Sequence, residues 1–200
     1  MRPNPLTERR HRIQIEPLSW WVSEFTEIVP VGHVLRPCLF DNWTRFHSLP
    51  ESKRYAEDEV EYAEILRRHL AVGNEIFEPG EQIYVFQSRL AKGKKSEKRA
   101  TFLAGRQLRQ KIIKIPSQQP ENDDQYCVRS LITTWIPDFF NMLNRQLADW
   151  IESNVTFVSP RTKNIYCPYD GGMDVFTFSM PPASLEEKFK SWMSTREDRL

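Results

Sequence analysis

The chain has 200 residues, enough for one domain with a substantial core, because a chain of this size hides roughly 70% of the surface its unfolded form exposes. An apolar fraction of 40% and an aromatic fraction of 12% exclude a disordered chain, and a net charge of +1 disfavours a dedicated nucleic-acid binder. Cys38, Cys127 and Cys167 are odd in number and irregular in spacing. His11, His33, His47 and His69 lack ligand spacing, so neither a disulfide framework nor a metal site is expected.

Residues 1–17 read as a flexible or extended tail, with a single α+β domain over residues 18–195. No apolar run follows the basic residues of the tail, and no window approaches the ~18 apolar residues of a membrane span, so a cytoplasmic protein without signal peptide or membrane segment is expected.

Leu18, Trp21, Val22, Phe25 and Ile28 recur at helical spacing, with Ser19 as N-cap and Pro30 as stop. Residues 31–38, with Pro37, read as an extended linker. Residues 42–48 are rich in β-formers and read as a strand. The clearest helix spans residues 57–77, with an apolar stripe of Val60, Ala63, Leu66, Leu70, Ile76 and Phe77 and an ion pair from Glu64 to Arg68. Residues 82–88 form a strand and 92–99 a basic connection. Residues 100–115 read as a helix followed by a strand over 111–115, then a loop to Asp124. A strand over 126–135 leads to a helix over 138–152 with Pro137 at its first position. Strands over 155–158, 164–168 and 173–178 form a meander, and a helix over 185–193 closes the chain. The fold class is α+β, a mostly antiparallel sheet with three to five helices packed on it.

Two segments are dense in chemistry. Tyr169-Asp-Gly-Gly-Met-Asp174 places two carboxylates and a tyrosine around a tight turn, where glycines supply positive φ and Asp170 can cap the turn amides. The alternative is a carboxylate pair, Asp170 and Asp174, presented to a ligand. Arg45 through Tyr55 carries Arg45, His47 and Arg54; arginine offers a bidentate fork to phosphate or carboxylate. If the two segments meet, Arg45 or Arg54 can pair with Asp170 or Asp174. Cys167 with His47 as base lacks any local signature of a nucleophile. Trp20–Trp21, if exposed, would mark a protein contact.

Taken together, the Arg45–Tyr55 segment with the helix behind it and Ile165-Tyr-Cys-Pro-Tyr-Asp-Gly-Gly-Met-Asp174 resemble small bacterial hypothetical proteins of a domain-of-unknown-function family. In that family a Tyr-Asp pair precedes a short turn and a second Asp in a strand. Gly171-Gly172 departs from the family's Asp-Arg-Gly form, so no role of that arginine carries over. The resemblance spans residues 43–179 and implies a bacterial cytoplasmic single domain.

With no catalytic or cofactor signature, near-neutral charge and surplus aromatics, the sequence points to a non-catalytic protein-binding factor, immunity-like or regulatory. Its partner would be another protein, with no cofactor. The alternative is an enzyme or small-anion binder built from Tyr169, Asp170, Asp174, Arg45, His47 and Arg54. Nucleic-acid binding through residues 92–99 is a third reading.

Overall fold

The structure is a computed structural model that describes residues 16–26, 28–91, 102–109, 113–116, 125–149 and 151–196. The tail before residue 16, the basic run over 92–99, the loop over 117–124 and Trp150 lie outside the described residues.

Among the described residues the nine strands are β1 (Trp43–His47), β2 (Gln82–Leu90), β3 (Phe102–Leu103), β4 (Arg106–Gln107), β5 (Ile113–Pro116), β6 (Gln125–Thr134), β7 (Val155–Val158), β8 (Ile165–Tyr169) and β9 (Gly172–Phe176). Seven of them build one sheet in the order β1-β9-β8-β7-β2-β6-β5, and every pairing is antiparallel. The α-helices of the described residues are α1 (Pro17–Phe25), α2 (Gly32–Cys38), α3 (Glu59–Ile76), α4 (Pro137–Ala148) and α5 (Pro182–Lys188). This is the α+β class, with an antiparallel sheet.

Both faces of the sheet are covered. The period of two along a strand sends Ile83 and Val85 to one face and Tyr84 and Phe86 to the other. On the first face Val72 and Ile76 of α3, Phe139, Phe140, Leu143 and Leu147 of α4, and Leu185 of α5 pack with Phe46, Phe157 and Tyr166. On the second, Leu18, Trp20, Trp21 and Phe25 of α1 and Val34 and Leu35 of α2 pack with Trp43, Phe86 and Phe176. Strands with apolar residues on both faces read as near-continuous runs, which is why β2 and β7 lack polar alternation.

Several expectations change. Residues 32–38 are helical, not an extended linker; Pro37 lies inside the helix near its end, where it forgoes one main-chain hydrogen bond. The cap of α1 is Glu16, whose carboxylate accepts from Ser19 N at 3.2 Å, rather than Ser19 itself. In α3 the buried face is Ile65, Arg68, His69, Val72, Gly73 and Ile76, whereas Val60 is 77% exposed. The polar Arg68 and His69 disguised the true stripe. Residues 102–107 form a hairpin rather than a helix, with Ala104 and Gly105 at positive φ in its turn. Trp20 and Trp21 are both buried, so they mark no exposed contact.

A second buried layer of polar contacts fixes α3 to the sheet. Ser48 Oγ lies 2.6 Å from His69 Nε2, and His69 Nδ1 is hydrogen-bonded to the Tyr166 hydroxyl. All three residues are buried. Burial, aided by Arg68, pulls the His69 pKa down to about 3, so the ring is neutral and the chain of three groups carries no charge.

Candidate functional site

The end of β8 and the start of β9 are joined by the two-residue loop Asp170-Gly171, with Tyr169 opposite Gly172. Neither glycine of this turn lies in the left-handed region, so the positive-φ expectation fails for both. Their smallness serves close approach instead. A Cβ on Gly172 would stand 2.3 Å from the Phe46 carbonyl oxygen and 2.9 Å from the Tyr169 hydroxyl; one on Gly171 would meet the Arg54 stem at 3.3 Å.

Register then brings the two dense segments together. In the β1–β9 ladder Arg45 stands opposite Asp174, and in the β8–β9 ladder Cys167 does. All three therefore share the sheet face covered by α1 and α2. Arg45 donates from Nε to Asp174 Oδ1 at 2.8 Å and from Nη2 to Oδ2 at 2.9 Å, a bidentate pair. Trp43 Nε1 adds a third donor to Oδ1 at 2.8 Å. The Arg45 guanidinium also lies over the Tyr169 ring at 4.9 Å and beside the Trp43 ring at 5.7 Å. At the turn, Arg54 donates from Nε to Asp170, which holds the guanidinium pKa above its usual value. Thus Tyr169 and Asp174 both engage Arg45, and Asp170 engages Arg54.

His47 follows on β1, almost fully buried, with its Nε2 unpartnered among the described residues. Burial lowers its pKa, and Arg45 and Arg68 add to that, so it is neutral. No hydrogen bond joins it to Cys167. That thiol lies 3.4 Å from Thr156 Oγ1, and burial pushes its pKa up, which removes the thiolate a nucleophile needs.

Helix α2 closes the site from above. The Pro30 carbonyl accepts from Thr156 Oγ1 at 2.8 Å and Ser88 Oγ at 3.2 Å, which fixes the entry to the helix on the middle of the sheet. Gly32 then passes so near the sheet that an added Cβ would lie 2.9 Å from Asp174 Oδ2 and 3.1 Å from Cys167 Cβ. Beside it, His33 has its pKa lowered by burial and by Arg36, against the pull of Asp174.

These groups line a cleft of about 340 Å³ at the end of the sheet. Its walls include Gly32, His33, Arg45, Arg54, Tyr169, Asp170 and Asp174, together with Glu152, Ser153 and Asn154 of the α4–β7 connection. Burial raises the Tyr169 phenol well above its ordinary pKa, so it stays protonated as a hydrogen-bonding group. His47 is not among the lining residues. Glu152, Asn154 and Gly32 were not singled out in the sequence, and nothing local to them signals a site; only the fold delivers them. Among the described residues no group of three or more His, Cys, Asp or Glu is placed to hold a metal ion, and no helix is long and apolar enough to cross a membrane.

The geometry thus defines an α+β protein with a small mixed-charge cleft beside a Tyr-Asp-Gly-Gly-Met-Asp hairpin. Residues 31–197 match the model of a domain of unknown function, DUF3885, and the chain belongs to that family. No curated protein and no solved structure matches it.

Proposed function

We propose that this protein binds a small ligand with an anionic group in the cleft, gripped by Arg45 and Arg54. The observation that carries the reading is that two aspartates of one hairpin each pin a guanidinium, and that both guanidiniums line the same cavity. Buried ion pairs are a weak source of stability, because desolvation offsets their attraction. As pre-aimed forks they suit recognition of carboxylate or phosphate, with the ordering cost met in advance. The cleft volume falls at the lower end of the range for small-molecule sites. The Cys167 thiol in its wall is buried with a raised pKa, which supports binding over nucleophilic catalysis. Calorimetric titration with inorganic phosphate and a panel of carboxylates tests it. Saturable binding that disappears in Arg54→Ala is expected; no binding by any anion overturns it.

A second reading, a non-catalytic immunity-like or regulatory protein binder, is supported by two exposed aromatics at this site. Phe40, 64% exposed, leans on Trp43, and Tyr55, 49% exposed, lies by Arg54. A host partner retained by the protein and lost from a Phe40→Asp, Tyr55→Asp variant is the expected result. Strictly monomeric behaviour in host extract, with nothing retained, overturns it. Both readings take residues 18–195 as one working unit in a bacterial cytoplasm, a setting that the buried Cys127 and Cys167, both thiols, support.

A further inference from the structure

The cleft's wall holds two guanidiniums, Arg45 and Arg54, and three carboxylates, Asp170, Asp174 and Glu152. The wall therefore presents both signs of charge to whatever enters, and Glu152 is itself paired with Arg89, which stands behind the lining.

The three carboxylates are not equivalent. Asp174 spends both oxygens on Arg45 and Trp43, and Asp170 is engaged by Arg54. Glu152 is held differently. Gln87 Nε2 at 2.6 Å and Arg89 Nη2 at 3.0 Å both donate to its Oε2, while Oε1 accepts from no described residue. Its backbone N–H is tied to the Gln146 carbonyl at 3.2 Å, so main chain and side chain are both positioned. The carboxylate is only 13% exposed, yet it lines the cleft. A fixed, mostly desolvated oxygen of this kind is a poor neighbour for an anion and a good acceptor for an ammonium.

We propose that the ligand is zwitterionic, a small aminocarboxylate whose carboxylate meets Arg54 and whose ammonium donates to Glu152 Oε1. This rests on the anion-gripping reading of the cleft and adds the second charge. The two charged ends then answer both signs on the wall. Arg45, tied to Asp174 and stacked on Tyr169, forms the floor between the ends.

Calorimetry and thermal-shift titration of the full chain test this with a matched set: acetate and inorganic phosphate as anions, ethylammonium as cation, and glycine, β-alanine, 4-aminobutyrate and 5-aminovalerate as zwitterions of increasing span. The tightest zwitterion is expected to bind at least tenfold more tightly than acetate or ethylammonium. Glu152→Gln should bring it down to the level of acetate without abolishing acetate binding. If acetate or phosphate binds as tightly as every zwitterion in the unaltered protein, the zwitterion assignment falls while the anion grip stands. If no member of the set binds, both fall. The comparison within the unaltered protein needs no variant, so a Glu152→Gln chain that fails to fold leaves the result decisive.

Discussion

The β8–β9 hairpin looks two ways, and its two sides solve the problem of buried polarity differently. Toward α3, the neutral chain Ser48–His69–Tyr166 is sealed between sheet and helix. Toward α2, charged pairs stand at a cleft. A neutral, fully hydrogen-bonded chain secures geometry at little electrostatic cost. Charged groups held by partners of opposite sign cost more to bury, and they are useful where something charged must be met. The contrast separates a fastening from a receptor, although both hang on the same nine residues of chain from Tyr166 to Asp174.

The largest expected effect lies on the charged side. Asp174→Ala strands the Arg45 guanidinium and the Trp43 N–H without their acceptor, and unfolding in urea should show a loss of about 3–5 kcal/mol. A loss below 1 kcal/mol would mean that water replaces the carboxylate readily, and the pair would then count as surface chemistry.

Next comes the neutral side. His69→Gln leaves at least one of Ser48 and Tyr166 short of its partner, for a loss of about 1–3 kcal/mol at neutral pH. The pH dependence is sharper. The folded pKa of His69, about 3, lies below its ordinary value of 6.5, so the unfolded chain binds the proton first. The stability that neutral His69 represents is therefore complete above pH 6.5 and is lost as pH falls from there toward 3. Over that window the loss is on the order of 5 kcal/mol. His33 and His47, also lowered by burial, contribute slope of the same sign, so the difference between the unaltered protein and His69→Gln isolates the term. Equal slopes in the two would show that water reaches His69.

The smallest effect on stability belongs to Arg54. Its side chain is 55% exposed, so Arg54→Ala should cost no more than about 1 kcal/mol in a thermal melt while removing ligand binding. A large destabilisation would move Arg54 from the receptor to the fastening.

Local chemistry made much of this visible in the sequence. The closing meander and β1 are bounded by turn residues and filled with β-formers, and the 57–77 helix announces itself by length and by the Glu64–Arg68 ion pair, which forms at 2.6 Å. The meeting of Arg45 and Arg54 with Asp174 and Asp170 could be framed as a condition but not decided, because it depends on β1 pairing with β9 across more than a hundred residues. The α3 face was misread because Arg68 and His69 are buried by specific partners, the His47 carbonyl for one and Ser48 and Tyr166 for the other. Glu152 looked like an ordinary helix end, and only Gln87 and Arg89, on a distant strand, turn it into a fixed carboxylate.

The anchor at Pro30 has a consequence for how this chain can vary. Its holding atom is a main-chain oxygen, which every amino acid possesses, while the donors are the Ser88 and Thr156 hydroxyls on two different strands. Replacement at position 30 leaves the acceptor in place. Replacement of either hydroxyl by an alkyl group removes one of the two tethers and loosens Gly32 over Asp174 from a distance. The roof of the cleft is thus inherited through residues that never line it.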